Sequence, residues 1–195
     1  MTAQTTDLAE DLEALSAFEF QTALAQCVDC TDYHALIGYA RLAHVNNGLR
    51  TDGDAIISEL RGLGRPGLRV LIAGAADAGL LALAARGSLE FSPRITVADR
   101  CATPLAVCRR YAGILALRLE TSQRDLAREP VSVRHHVAFA HNILMLIPGD
   151  RHVAFLRNLR SALGPDGSFV LVNRERPKGW VSHPPAPDLY AARVI

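Results

Sequence analysis

Three short stretches of the sequence place glycine or a carboxylate at the end of a predicted strand or just past it, and each could bind part of a nucleotide-like ligand. Gly74 lies in "AGAADAG", Asp99 in "VADR" and Asp125 in "TSQRDLA". Glycine lets the backbone turn tightly and approach a ligand closely, because it has no Cβ atom. The two oxygens of Asp99 could accept both hydroxyls of a ribose. Asp125 could accept a hydrogen bond from the exocyclic amine of an adenine, and Leu126 offers a backbone N–H and an apolar surface to the base.

Each of these interpretations has a simpler structural alternative. Ala76 and Ala78 stand where phosphate-binding turns have glycines, so the G-x-G-x-x-G pattern is absent. Taken alone, the turn favours plain packing of a strand against a helix. Asp99 could merely cap the following helix, although Thr103 is a good N-cap for that helix. Asp125 could be a solvated loop acid.

Another candidate pair, His141 and Asn142, ends the apolar run "VRHHVAFAHNIL". The pair could position a substrate, or His141 could act as a general base, since an imidazole titrates near neutral pH. A purely structural histidine is the alternative. The remaining candidates, His135, His136 and His152, show no clear metal-ligand spacing.

The cysteines include one C-x-x-C pair, Cys27 and Cys30. Zinc would need two further ligands, and Cys101 and Cys108 do not supply a second pair at comparable spacing. A redox-active pair is expected at a helix start after a strand, whereas this pair ends a helical pattern. The sequence therefore favours buried or incidental thiols and predicts no metal site.

The pattern of apolar residues predicts the elements that position these side chains. Residues 1–65 form an expected cap of three helices, in which Tyr33, His34 and Tyr39 are possible substrate contacts. Residues 66–195 then alternate strands with helices; the strands are "LRVLIAG", "RITVAD", "LALRLET", "VRHHVAFAHNIL" and "SFVLVN". Such alternation predicts a parallel α/β sheet, which binds ligands outside the carboxyl ends of its strands.

Composition excludes several classes of function. The net charge is +1, no basic tail is present and aromatic residues are few, so no nucleic-acid partner is expected. The first residues are acidic and amphipathic, unlike a secretory signal. The longest apolar run is short and contains Asp77, so no membrane span is expected. We therefore expect a cytoplasmic protein.

The order of these segments resembles the class I S-adenosylmethionine-dependent methyltransferase family over about residues 68–173. The matching pieces are the turn "LIAGAADAG", the ribose-binding acid Asp99, the adenine-side acid Asp125, and the final "FLRNLRSALGPDGSFVLV". The resemblance implies a Rossmann-like doubly wound sheet, S-adenosyl-L-methionine as cofactor and a methyl acceptor, for which a small molecule is expected. The resemblance and the positions at strand ends together predict His141 as a catalytic residue and the following cofactor-binding residues: Gly74, Ala76, Asp77, Asp99, Arg100, Asp125, Leu126 and Asn142.

The chain also departs from the family pattern. Ile72 stands where the family often has an acid, and Asp77 could replace that acid by meeting the ammonium of the cofactor. Only 22 proline-rich residues follow Asn173, where the family sheet usually continues through a helix and an antiparallel strand pair. Either the sheet stops early, a partner chain completes it, or the chain is a piece of a longer protein. An uncovered edge strand favours shielding by the tail or by a second subunit, as in a homodimer.

Two other classes of function stay open. A non-catalytic protein could keep this fold as a cofactor sensor or an interaction subunit, which the altered glycine turn and short C-terminal part would suit. A nicotinamide-dependent oxidoreductase would share the strand, turn and acid. However, the three-glycine pattern and a Tyr-x-x-x-Lys pair are both missing, and the only lysine is Lys178.

Overall fold

The computed structural model describes residues 3–42 and 48–173, with side chains described for residues 14–37 and 52–173. Its helices are α1 (Ala3–Gln26), α2 (Thr31–Leu42), α3 (Gly48–Leu63), α4 (Gly79–Ser88), α5 (Ala102–Ile114) and α6 (His152–Ser161). Its strands are β1 (Arg69–Ala73), β2 (Arg94–Asp99), β3 (Leu119–Gln123), β4 (His135–His141) and β5 (Leu163–Val172). Tyr39 and the tail after Asn173 lie outside the described side chains, so the expectations placed on them are not addressed.

The five strands form one parallel sheet in the order β3-β2-β1-β4-β5. In the register, Val70 pairs with Ile95 of β2 on one side and with Val137 of β4 on the other. The chain therefore reverses its direction of winding between β1 and β4. This is the switch point at which doubly wound sheets open a crevice for ligands. The predicted Rossmann-like sheet is confirmed.

Helices cover both faces of the sheet, which explains why β1 is apolar after Arg69. Val70 and Ile72 face a core that includes Leu81 of α4, whereas Leu71 and Ala73 face a core that includes Phe155 of α6. The side chains of these four residues are fully buried. Continuous apolar strands are typical of parallel sheets that are covered on both faces.

Helix α3 belongs to the main core as well as to the predicted cap. Ile56 and Leu60 of α3 are buried in the same cluster as the β1 residues. A Cβ atom at Gly87 of α4 would lie 2.9 Å from Leu60 Cβ and 3.2 Å from the Cα atom of Ile57, so the two helices pack closely. The division of the chain at residue 65 stays a prediction. Among the helices of residues 3–42 and 48–173, none combines the length and apolar character needed to cross a membrane.

Two predicted element boundaries differ from the structure. The strand expected over "LALRLET" begins only at Leu119, because Leu115 still donates its N–H to Tyr111 of α5 and Ala116 has a φ of 51°. The "GPDG" segment does not lie between helix and strand. It forms an irregularity within β5, where His135 pairs with Leu163 but Val137 pairs with Ser168.

His135 is a buried histidine that joins three elements. Its Nδ1 lies 3.2 Å from the carbonyl oxygen of Ala162, to which it can donate, and its Nε2 lies 3.0 Å from Thr96 Oγ1, from which it can accept. Burial lowers the pKa of His135 below 6.5, because the charged ring is poorly solvated there. The folded protein therefore favours the neutral ring.

This burial makes part of the stability dependent on pH. The stabilisation should be complete above the unfolded pKa of 6.5 and should be lost as the pH falls towards the lower folded pKa, because only the unfolded chain takes up the proton. Urea unfolding between pH 8 and pH 5 should show a slope of up to about 1.4 kcal/mol per pH unit from this group. In His135→Gln, which cannot titrate, the slope should be smaller; an equally steep slope would assign the effect to other histidines.

Candidate cofactor site

A cavity of about 320 Å³ opens at the carboxyl ends of the strands. Three loops line it: residues 74–76 after β1, residues 98–101 at the end of β2 and residues 124–127 after β3. The α1–α2 segment contributes Asp29, Cys30, Tyr33 and His34, and further lining residues are Ile143, Leu146, Ile147 and Phe155. The cavity falls in the size range of small-molecule sites. The structure thus brings the three loops singled out in the sequence to one place.

Gly74 is required at the first loop by its backbone conformation. Its φ is +83°, and its N–H donates to the carbonyl of Ala98 at 2.8 Å. A Cβ atom there would lie 2.1 Å from Ile143 Cδ1. The contacting atom is the end of a flexible side chain and can move, but the positive φ disfavours any side chain.

Gly74→Ala is therefore expected to lower the free energy of unfolding by about 1–2 kcal/mol through backbone strain, with a further contribution from the contact with Ile143. Denaturant unfolding would measure this loss. The double variant Gly74→Ala/Ile143→Ala separates the two causes, because it removes the contact and keeps the strain. Equal stability of wild type and Gly74→Ala would show that the loop relaxes freely.

Asp99 connects the three loops through hydrogen bonds. Its Oδ2 accepts the N–H of Ala75 at 2.9 Å, and its Oδ1 accepts the N–H of Cys101 at 2.6 Å. Its backbone carbonyl accepts the N–H of Arg124 at 2.9 Å. Burial raises the pKa of Asp99, and the two N–H donors act in the opposite direction. Each carboxylate oxygen has a second lone pair, so the group can still accept hydroxyls from a ligand.

The third loop places Asp125 and Leu126 on the cavity. Asp125 Oδ1 accepts the N–H of Ala127 at 2.9 Å, and its Oδ2 lies 3.3 Å from Arg128 Nε. Leu126 is 5% exposed, and its carbonyl accepts from Asn158 Nδ2 at 2.9 Å. These hydrogen bonds hold the loop in a conformation in which Leu126 and the Asp125 carboxylate line the cavity. The adenine contacts expected of both residues stay predictions.

Other predicted site residues lie around or outside the cavity. Ala76 and Arg100 line it, and Arg100 Nη2 lies 3.4 Å from Asp29 Oδ2 in an exposed ion pair. Asp77 does not line it: this side chain is 4% exposed and its Oδ1 accepts the N–H of Gly79 at 2.7 Å, which fixes the start of α4. Contact between Asp77 and a cofactor ammonium stays a prediction that this burial does not favour.

His141 and Asn142 are also absent from the cavity lining. His141 Nε2 lies 2.9 Å from Asp52 Oδ2 of α3, and only 13% of the His141 side chain is exposed. Asn142 has a φ of 54° and donates its N–H to the carbonyl of Val172 at 2.8 Å. This contact joins α3 to the end of β4. A role for His141 as a base and for Asn142 as a cofactor contact stays a prediction.

The structure also assembles a group that the sequence did not reveal, which we call the thiol–imidazole cluster: Cys27, Cys30, His34 and Cys101. One ligand atom from each of these residues lies within 4.8 Å of the others. Burial lowers the pKa of His34 to about 4, and burial raises the pKa of Cys30 and Cys27. Spacing along the chain offered only the C-x-x-C pair, because Cys101 lies 71 residues after Cys30.

Comparison with known proteins gives a fold but no close relative. No protein-family model matches the sequence, and no curated protein matches it. Among solved structures, N-methyltransferase NodS from Bradyrhizobium japonicum WM9, in complex with S-adenosyl-L-homocysteine, has a TM-score of 0.53 at 15% identity, over 63% of this chain and 60% of that chain. The DhpI–SAM–HEP complex has a TM-score of 0.51 at 21% identity, over 88% and 68%. The chain has the fold of the class I S-adenosylmethionine-dependent methyltransferases.

The methyltransferase fold confirms the resemblance noted in the sequence. Coclaurine N-methyltransferase, bound to N-methylheliamine and SAH, has a TM-score of 0.52 at 15% identity and is covered over 35% of its length. TehB from Haemophilus influenzae is covered over 39% of its length. The chain thus spans well under two thirds of the length of these two structures. At sequence identities this low, the structural match establishes the fold alone. Any activity has to be inferred from the site.

Proposed function

We propose that the chain binds S-adenosyl-L-methionine and transfers its methyl group to a small-molecule acceptor. The observation that carries the proposal is the convergence of the loops at Gly74, Asp99 and Asp125 on one cavity at the switch point of a methyltransferase fold. Supporting it, structures with the same fold were solved in complex with S-adenosylmethionine or S-adenosylhomocysteine.

The residues that line the cavity suit the parts of this cofactor. Asp99 would accept the ribose hydroxyls, because its carboxylate keeps lone pairs beyond those used by Ala75 and Cys101. Leu126 would pack against the adenine, and Asp125 would accept from the adenine amine. The turn at Gly74 would let the backbone approach the remainder of the cofactor.

When bound, the cofactor would supply a methyl group activated by a sulfonium. The chain would contribute by holding the acceptor in line and by excluding water from the cavity. Tyr33, Leu146 and Ile147 also line the cavity and supply apolar contact surface for an acceptor. Leu146 is 63% exposed, so this surface is open to an incoming small molecule. The cytoplasmic location and the homodimer expected from the sequence stay predictions.

Calorimetric titration with S-adenosylhomocysteine tests the cofactor assignment. We expect saturable binding at a single site, with no comparable heat from NADH, which tests the oxidoreductase alternative. Asp54→Ala is a matched control, because Asp54 is an exposed acid of α3 outside the cavity lining. Absence of binding at millimolar S-adenosylhomocysteine would overturn the proposal and favour an interaction protein.

One observation favours a second candidate, a cofactor sensor without transferase activity. Ile72 is fully buried where the family often carries an acid, so a typical polar contact at the end of β1 is missing. A methyl-transfer assay with radiolabelled S-adenosylmethionine and a panel of small acceptors separates the two. Transfer to any acceptor supports the enzyme, whereas binding without transfer to any of them supports the sensor.

A further inference from the structure

The thiol–imidazole cluster has the composition and spacing of a metal site. Cys27 Sγ lies 3.3 Å from His34 Nδ1 and 3.5 Å from Cys101 Sγ. Cys101 Sγ lies 3.6 Å from Cys30 Sγ and 3.5 Å from His34 Nδ1. Every pair among the four ligand atoms is within 4.8 Å. Four soft or borderline donors thus surround one point.

These separations are close to those that tetrahedral zinc requires. With Zn–S bonds of about 2.3 Å and Zn–N bonds of about 2.0 Å, neighbouring sulfur atoms lie about 3.8 Å apart and sulfur–nitrogen pairs about 3.5 Å apart. Three thiolates with one imidazole form one of the common structural zinc sets, and sulfur ligands in a tetrahedron disfavour magnesium and calcium. We propose that Cys27, Cys30, His34 and Cys101 bind a single Zn²⁺ ion.

The surroundings of the cluster also suit a metal-bound form. Thr103 Oγ1 lies 3.1 Å from Cys27 Sγ and can donate a hydrogen bond to a thiolate there. The backbone N–H of Cys101 donates to Asp99, which fixes the position of that ligand. His34 is 5% exposed and Cys101 is 8% exposed, so half of the ligand set is shielded from water. Coordination would replace the thiol protons, which would leave to solvent.

The proposed zinc joins parts of the chain that are far apart in sequence. Cys27 and Cys30 flank the turn between α1 and α2, His34 lies in the first turns of α2, and Cys101 follows β2. Four protein ligands leave no open position on the metal, which is typical of structural rather than catalytic zinc. The ion would therefore hold the α1–α2 segment against the loop that carries Asp99. Cys30, His34 and Cys101 also line the cavity, so the metal would form part of its wall.

The first test is the metal content of the full chain, purified under reducing conditions with Zn²⁺ supplied and then dialysed. We expect one zinc per chain by plasma mass spectrometry. Replacement of zinc by Co²⁺ should give the intense visible bands of tetrahedral cobalt and a sulfur-to-cobalt charge-transfer band in the near ultraviolet. This test needs no cofactor, so it succeeds or fails independently of the proposed function.

Variants assign the ligands. Cys101→Ser and His34→Ala should each weaken Zn²⁺ binding at least about tenfold, measured by competition with a chromophoric chelator. Cys108→Ala is the matched control: Cys108 is a buried cysteine outside the cluster, and this variant should keep one zinc. Circular dichroism on each variant shows whether it has folded. If a variant does not fold, the cobalt spectrum of the wild type still tests whether the chain has a tetrahedral sulfur-rich metal site.

Two metal-binding results would overturn the proposal, and a thiol count gives a third. One is a folded, reduced wild-type chain that holds no zinc and gives an octahedral cobalt spectrum. The other is a cobalt spectrum that persists unchanged in Cys101→Ser, which would leave the C-x-x-C pair with other ligands. A thiol count that falls by two on air exposure, with no metal uptake by the reduced chain, would identify the cluster as a disulfide-forming site instead.

Discussion

Replacing Asp99 with alanine is expected to weaken the binding of S-adenosylhomocysteine by at least about 100-fold, because the ribose would lose two hydrogen bonds to a carboxylate, each contributing about 1.5–3 kcal/mol. The variant would also leave the N–H groups of Ala75 and Cys101 without their carboxylate acceptor. Each buried N–H left unpaired costs about 1–3 kcal/mol, so the free energy of unfolding should fall as well. Calorimetry and denaturant unfolding would measure the two effects.

Controls separate lost recognition from lost structure. Asp99→Asn keeps one carbonyl acceptor but turns an NH₂ group towards the other backbone N–H, so it should bind more weakly than wild type and more tightly than Asp99→Ala. Asp54→Ala should bind like wild type. A folded Asp99→Ala that binds S-adenosylhomocysteine with wild-type affinity would remove Asp99 from the site and leave it as a loop connector only.

The raised pKa of Asp99 gives the same interaction a pH dependence. A ribose hydroxyl donates best to the ionised carboxylate, so affinity should be constant above the pKa of Asp99 and should fall as pH drops below it. Because burial raises that pKa, the fall should begin at a higher pH than for an ordinary aspartate. Calorimetry over a pH series would measure it. An affinity that does not change as the carboxyl becomes protonated would mean that the ribose does not contact Asp99.

The positions of residues at strand ends could be predicted from the sequence, because they depend on the local pattern of apolar residues and on the parallel arrangement of the strands. Apolar runs predicted the strands, and parallel strands present their carboxyl ends at one edge. Asp99 and Asp125 each lie at the end of a predicted strand or just past it, so their convergence on one cavity could be inferred without knowing any contact. The hydrogen bond from Ala75 to Asp99 could not be inferred, because it depends on how two neighbouring loops approach each other.

Partners from distant parts of the chain were the features that the sequence did not reveal. His141 pairs with Asp52, which precedes it by 89 residues, and nothing local to His141 signals that acid. In the same way, the C-x-x-C pair gave no sign of further donors and no metal site was predicted, whereas the fold brings His34 and Cys101 close to the pair. The sequence contained one neglected signal, since His34 lies four residues after Cys30 and one turn of a helix returns it to the same side.

Removal of the proposed zinc is expected to produce the largest change in stability. Binding of a metal to the folded state alone stabilises it by about 4 kcal/mol when the free metal is about 1,000 times its Kd. For a chain of this size, that loss corresponds to a fall of about 8–16 °C in Tm. Scanning calorimetry of the wild type with and without EDTA should show it, whereas Cys101→Ser should have a low Tm in both conditions. Cys108→Ala should respond to EDTA like the wild type.

The same treatment should weaken cofactor binding, because Cys101 donates its N–H to Asp99 and would be released when the metal leaves. Affinity for S-adenosylhomocysteine should therefore fall on chelation in the wild type and should not fall further in Cys101→Ser. An equal Tm with and without EDTA would contradict the stabilising role of the metal. A large fall in Tm with unchanged cofactor affinity would confine the metal to stabilising the α1–α2 segment, because the Asp99 loop would then keep its position without it.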